Sequence, residues 1–389
     1  MEIADLIRER GPLTVAAFMD LALYDSELGY YARTARRSGR AGDFFTSVDV
    51  GPIFGELVEA QLAEMASILD STFQIPDFDL VEAGAGNGRL AADILASARR
   101  HHPTFYESLR LHLVEASGEA RAAQHATLGD LTDRLASSGP ALPASFEGVL
   151  LANELLDAFP VHQVVMRAHG LREVYVDSAT RGRTRDGPGS VPGLTPESAA
   201  LRLVEGPPST PALADYLDRL GVTLEPGWRA EINLRAVDWI REAARRLRRG
   251  FIILIDYGHE ARELYSPTHA AGTLTTFARH QSSGPESSPD APAWLRNPGE
   301  QDLTAHVDFT SVRAAAEAEG LTTLAFLDQT YFLMGLVSGW NPQTLAEHSA
   351  ALKTLIVPGG IGSTHKVLIL GKGVGAPALR GCSFQVRVT

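Results

Sequence analysis

The sequence predicts an α/β fold built on a mostly parallel sheet covered by helices on both faces. Three observations carry this. The run Leu80-Val81-Glu82-Ala83-Gly84-Ala85-Gly86-Asn87-Gly88 passes directly into a helix-forming stretch over residues 89–96, giving strand, glycine turn and helix in succession. Residues 111–115 then supply an apolar return strand ending on Glu115, at the distance expected for one crossover helix. Phe251-Ile252-Ile253-Leu254-Ile255-Asp256 is an apolar run suited to a strand buried on both faces of a parallel sheet.

Taken in order, residues 1–78 read as a helical N-terminal region. Val15, Phe18, Met19, Leu21 and Ala22, then Ile53, Phe54, Leu57, Val58 and Leu62, recur at helical spacing. A polar loop between them carries Arg33, Arg36, Arg37 and Arg40 and ends Gly42-Asp43-Phe44-Phe45-Thr46-Ser47. Its arginines suit either a solvated loop or an anion or substrate contact. From residue 79 strands and helices alternate, with strands at 79–82, 111–115, 148–153 and 251–256 and a closing pair at 321–327 and 366–370. Ahead of residue 251, Ile232, Ala236, Trp239, Ile240, Ala243 and Leu247 form the core-facing stripe of a helix. The domain over 79–389 is interrupted by excursions at about 160–230 and 257–309. The first holds a hairpin at 161–166 and 173–176 and a Gly/Pro/Arg-rich linker at 181–196; the second holds a Ser/Pro-rich stretch after His280. Both leave strand C-termini, where open α/β sheets place ligands, and are candidate walls of a substrate pocket.

Composition bounds the function. The 389 residues can bury a substantial core. No N-terminal stretch has the pattern of a secretory signal, and no apolar run is long enough to span a bilayer. The single Cys382 excludes an internal disulfide and a cysteine-based zinc site. A cytoplasmic location is the expectation. The formal charge of -12 argues against nucleic acid as a partner and is compatible with a cationic substrate.

The glycine spacing narrows the ligand. A dinucleotide fingerprint needs a third glycine at position 89, which is Arg89; the chain offers Gly84, Gly86 and Gly88, with Glu82 two residues before the first. This pattern resembles the first motif of Rossmann-like S-adenosylmethionine-dependent methyltransferases, in which the acidic residue and loop amides hold the methionine end of the cofactor. Glu115 would then take the ribose hydroxyls. An ordinary glycine-rich connection with Glu115 solvated is the other reading.

After the strand at 148–153 comes Asn153-Glu154-Leu155-Leu156-Asp157. Glu154 and Asp157 are three apart, so on a helical turn they share a side and could grip a guanidinium, stabilising the positive charge its nitrogen gains. The same segment also reads as a helix start, with Asn153 capping and acids in the first turn. His306 and Asp308 would share one face of a strand, as a base or metal dyad or as a structural hydrogen bond. No third ligand stands at fixed spacing, and a mechanism without metal is expected. For a hydroxyl acceptor, His162, His259, His280 or His306 would be the natural base.

Nearly the whole chain resembles the MidA family of S-adenosylmethionine-dependent methyltransferases, which includes the mitochondrial complex I assembly-factor protein arginine methyltransferase. The resemblance rests on residues 18–25 with Gly29-Tyr30-Tyr31, on the 42–47 loop, Phe54-Gly55-Glu56, the glycine loop, Asn153-Glu154 through His162-Gln163, Asp256-Tyr257-Gly258-His259, and residues 298–309. It implies a Rossmann-like class I methyltransferase fold, with the 42–47 loop, including Asp43 and Thr46, closing the cofactor site near Asn153. It also implies that the Glu154 region faces a protein arginine. Departures from the family pattern are Val48-Asp49-Val50-Gly51, Ala85, Asn87, Thr275 and the insertion after His280. They leave room for a small-molecule O- or N-methyltransferase, or for a cofactor-binding assembly factor with little turnover.

Overall fold

The computed structural model describes residues 2–33, 46–73, 77–178, 201–278, 281–284, 292–357 and 361–384. Asp43, His280, the 181–196 linker and most of the Ser/Pro-rich stretch lie outside the described residues. The chain divides into two compact units, each assembled from three segments: residues 1–34, 159–234 and 265–305 in the first, and 35–158, 235–264 and 306–389 in the second. The boundary expected near residue 78 is therefore not where the units part. Residues 1–34 group with the two excursions because they share a core. Phe18, Met19, Ala22 and Leu23 of the helix Val15–Tyr24 cluster with Val161, Val165, Val174 and Val176.

Within the first unit the expected hairpin is present. His162–Arg167 pairs antiparallel with Gly170–Ser178, and Leu13–Thr14, Leu201–Gly206 and Arg229–Ile232 complete a five-stranded sheet. Thr275–Ala278, Gln281–Ser283 and Asp302–Thr304 form a second, three-stranded sheet. The excursions are thus most of a folded unit with its own core, in which the rings of Phe18 and Trp294 meet at a tilt with centroids 5.8 Å apart.

The second unit carries the predicted sheet. Its main strands are β1 (Phe78–Ala83), β2 (Leu109–Val114), β3 (Leu135–Gly139), β4 (Phe146–Asn153), β5 (Leu247–His259), β6 (Thr322–Asp328) and β7 (His365–Lys372). They lie in the order β3-β2-β1-β4-β5-β7-β6. β3 through β5 run parallel, and β7 is antiparallel to both β5 and β6. β1 sits at the switch point of this doubly wound order, so the crevice for a ligand opens at the C-terminal ends of β1 and β4. Every residue of β1 is buried, the acidic Asp79 and Glu82 included. The helices used below are α1 (Ile53–Phe73), α2 (Arg89–His101), α3 (Gly118–Leu128), α4 (Leu234–Arg246), α5 (Phe309–Ala318) and α6 (Gln329–Val337).

One element is shorter than its stripe suggested. Ile232 ends the strand Arg229–Ile232 and Leu247 opens β5 opposite Phe146, so the helix between them covers only the middle of the apolar pattern. Elsewhere the packing is close enough to dictate residue size. A Cβ placed on Gly55 of α1 would lie 2.5 Å from Cβ of Asp93 on α2. Gly55→Ala should therefore lower stability by about 1–3 kcal/mol in urea unfolding, despite alanine's better helix propensity. No helix among the described residues is long and apolar enough to cross a membrane.

Candidate active site

The turn from β1 into α2 has the conformation its glycines permit. Gly84, Gly86 and Gly88 have φ of 75°, 51° and 84°, in the left-handed region that favours glycine. The amides of Gly84 and Ala85 donate to the Val114 carbonyl at 2.9 and 3.1 Å, tying the turn to the end of β2. A Cβ on Gly84 would press to 3.0 Å from the Leu155 side chain, whereas one on Gly86 would meet nothing within 4 Å. Among the described residues, the middle of the loop is therefore uncovered. Gly88 has no side chain to cap α2, and Oδ1 of Asn87 accepts the Arg89 amide at 3.3 Å instead.

Glu115 stands just past β2 and is not merely solvated. Its Oε2 accepts from the Gly86 amide at 2.9 Å and its Oε1 from the Ser117 amide at 2.7 Å. Gln124 of α3 donates to the Gly86 carbonyl at 2.8 Å and accepts from Ser138 at 2.6 Å, bracing the same loop. Each carboxylate oxygen of Glu115 retains a second lone pair. Glu82, on β1, is 5% exposed. Burial pushes its carboxyl up to about 8; the Ala91 amide opposes the shift, and the charges of Glu115 and Asp93 add to it. Its Oε2 is buried with no hydrogen-bond partner among the described residues, an acceptor of the kind a ligand satisfies. Thr46 is buried, and its amide and hydroxyl donate to Asp49 at 3.0 and 3.1 Å.

Beyond β4 the structure departs from expectation. Residues 154–157 form no helical turn, so Glu154 and Asp157 do not share a helix face and Asn153 caps no helix. The cause is Asp256, at the end region of β5. Its Oδ2 accepts the amides of Leu155, Leu156 and Asp157 at 3.1, 2.8 and 3.4 Å, and its Oδ1 accepts that of Tyr257 at 2.9 Å. A side chain from a neighbouring strand thus takes the donors a helix start would present. Burial, then the charge of Asp157, holds the Asp256 carboxyl well above the usual range. Glu154 adopts φ of 50°, uncommon for a residue with a Cβ, while its amide donates to the Ile255 carbonyl at 2.8 Å.

The side chains still gather at one end of the sheet. Asp157 is buried and receives a short hydrogen bond from the Tyr257 hydroxyl. Oε1 of Glu154 lies 3.7 Å from Nε2 of His365, the first residue of β7. Asn153 donates to Glu154 at 3.3 Å, and its own Oδ1 is buried without a partner among the described residues. The Tyr257 ring meets the rings of His365 and His306 edge-on at 5.5 and 5.7 Å, and His306 lies 5.2 Å from His259. Asp308 caps α5. Its Oδ1 accepts the amides of Thr310 and Ser311 at 2.9 and 3.3 Å, and its Oδ2 the Ser311 hydroxyl at 2.6 Å. His162 belongs to the first unit, where it is paired with buried Glu173 at 2.7 Å.

Sequence reasoning missed Asp256, Tyr257 and His365 as members of this cluster. Asp256-Tyr257 was visible as the polar end of an apolar strand; His365 carries no local signal.

A family model described as "Putative S-adenosyl-L-methionine-dependent methyltransferase" matches residues 57–327. The chain belongs to this methyltransferase family. It is 30% identical over 357 residues to "Protein arginine methyltransferase NDUFAF7, mitochondrial" of Rattus norvegicus, covering 85% of this chain and 72% of the relative. It is 28% identical over 402 residues to the Drosophila melanogaster homolog of that protein, covering 95% and 83%. A crystal structure of a Burkholderia thailandensis protein bound to S-adenosyl-homocysteine matches with a TM-score of 0.82 and 28% identity, over 99% of this chain and 95% of that one. The methyltransferase thus has the Rossmann-like fold expected, and S-adenosylmethionine is its cofactor. The expected cytoplasmic location is overturned by these relatives, which are named as mitochondrial proteins. The residues present fit the cofactor: the open side of Gly86, the unsatisfied oxygen of Glu82 and the spare lone pairs of Glu115 all lie on the glycine loop or the strand ends beside it.

Proposed function

We propose that this methyltransferase acts on the guanidinium of a protein arginine. Glu82, Gly84, Gly86, Gly88, Glu115, Thr46 and Asn153 would surround the cofactor, and Glu154 and Asp157 would receive the acceptor. The observation that carries this reading is the pair of carboxylates just past β4, one strand from the glycine loop, with Asp157 held by Tyr257 and the backbone between them held by Asp256. The relatives' names as protein arginine methyltransferases support the choice of acceptor.

S-adenosylmethionine supplies a methyl group already activated on a sulfonium. The protein's part is placement and electrostatics. The Gly86 loop and Glu115 would fix the ribose, and Glu82 would face the methionine end. Glu154 and Asp157 would bind the guanidinium through charge-assisted hydrogen bonds and oppose the charge its nitrogen gains. Tyr257 fixes the rotamer of Asp157. Glu154, with His365 at 3.7 Å, is placed to take the proton that the methylated nitrogen gives up. His306 packs against Tyr257 in this reading and would act as a base only for a hydroxyl acceptor.

The direct test incubates the protein and methyl-labelled S-adenosylmethionine with cell extract. Label is expected in protein, released as methylarginine on hydrolysis. Label confined to the small-molecule fraction would replace arginine with a metabolite acceptor.

Glu82 should make cofactor binding pH-dependent. Its carboxyl ionises near 4.5 in the unfolded chain and near 8 in the folded one, so the folded state holds an extra proton across that window. Stability should therefore fall as pH rises from the lower value to the upper. A cationic ligand beside Glu82 favours the carboxylate, so affinity for S-adenosylmethionine should rise through the upper value. In Glu82→Gln both slopes should flatten, as read by urea unfolding and by calorimetric titration at several pH values.

A further inference from the structure

Arg89, the first residue of α2, places a cation at the positive end of a helix, where electrostatics disfavour it. Asp49 compensates. Nη1 of Arg89 lies 3.0 Å from Oδ1 of Asp49, whose side chain is 1% exposed against 43% for the arginine. The other oxygen of the same carboxylate accepts both the amide and the hydroxyl of Thr46. Asp49 therefore joins the turn Ser47–Val50 to the exit of the glycine loop. A second anchor fixes the far side of that turn: Ser47 and Gln329 of α6 are fully buried, and their side chains meet at 3.1 to 3.3 Å.

From this geometry we infer that Asp49 and Arg89 are a positioning pair for the cofactor. They hold Thr46 and the glycine loop in one arrangement before the ligand arrives. Glu115 and Gln124 hold the middle of the loop, and the pair adds a restraint at its exit into α2, where three left-handed glycines are costly to order. An ion pair with one half-exposed partner adds little to global stability, whereas ordering a binding loop in advance lowers the cost of binding. The pair therefore acts on affinity more than on folding. This inference rests on the cofactor-binding part of the function proposed above and is independent of the acceptor.

The test is calorimetric titration of S-adenosylhomocysteine into the full chain and into Arg89→Met, Arg89→Lys, Asp49→Asn and the Asp49→Asn/Arg89→Met double variant, with urea unfolding of each free protein. Arg89→Met should weaken binding roughly tenfold with an unchanged unfolding midpoint, and Arg89→Lys, which restores the point charge, should recover most of it. The double variant should bind no more weakly than Asp49→Asn alone. Unchanged binding by Arg89→Met, losses that multiply in the double variant, or no recovery with lysine would each overturn the pair. If Asp49→Asn fails to fold, the methionine and lysine variants decide alone. A parent chain that bound no S-adenosylhomocysteine would overturn the cofactor site and the pair together, whereas normal parent binding with an unaffected Arg89→Met overturns the pair only.

Discussion

Glu154→Gln combined with Asp157→Asn should lower kcat by roughly 100- to 1000-fold, the scale of losing a group aimed at developing charge, while S-adenosylhomocysteine binds as in the parent. Both substitutions keep size and hydrogen-bonding capacity and remove negative charge where a cationic acceptor would sit. The backbone should hold, because its donors go to Asp256 and not to the altered carboxylates. Asp157→Asn also turns the Tyr257 hydrogen bond from charge-assisted to neutral, so the single variants should couple in a double-mutant cycle. Single-turnover rates and calorimetric affinities measured on the same preparations check both halves. Full activity in the double variant would remove these residues from the reaction.

The second large effect belongs to Glu115→Ala, which should weaken cofactor binding by roughly 10- to 100-fold, the scale of a lost charged hydrogen-bond acceptor. Its two oxygens are what the amides of Gly86 and Ser117 donate to. Without them the Gly86 amide loses its acceptor, leaving Gln124 as the loop's tie to the chain beyond β2, and the ribose loses its partner. Glu115→Gln should fall between, since its amide oxygen can serve one donor but not both. Calorimetric titration of S-adenosylhomocysteine orders the three proteins.

Apart from β3, whose residues are largely exposed, the strands of the main sheet and the glycine loop were legible because their signals are local. An apolar run such as residues 251–256 has one satisfactory environment, and three glycines between a strand and a helix have few conformations to choose from. What was illegible depended on partners distant in the chain. Glu154 and Asp157 look like the first turn of a helix until Asp256, about a hundred residues on, takes the amides that would have started it. Asp308 reads in the sequence as a dyad or a structural hydrogen bond beside His306, and its role in capping α5 depends on where the next helix begins. The unit boundaries were hidden for the same reason. No periodicity in residues 1–34 reveals that Phe18 and Met19 cluster with Val165 and Val174, about 150 residues away. Asp43 lies outside the described residues, and its expected role stays with the family resemblance.

The place of β7 has a consequence for how the chain is made. It is the last strand of the main sheet in chain order, yet it lies between β5 and β6. During translation β5 emerges more than a hundred residues before its neighbour, and until then its row of Ile, Leu and Phe is an unpaired apolar edge. Such an edge is open to pairing with other nascent chains until β7 covers it. His365 arrives with the same strand, so the cluster around Glu154 is finished only when the sheet is.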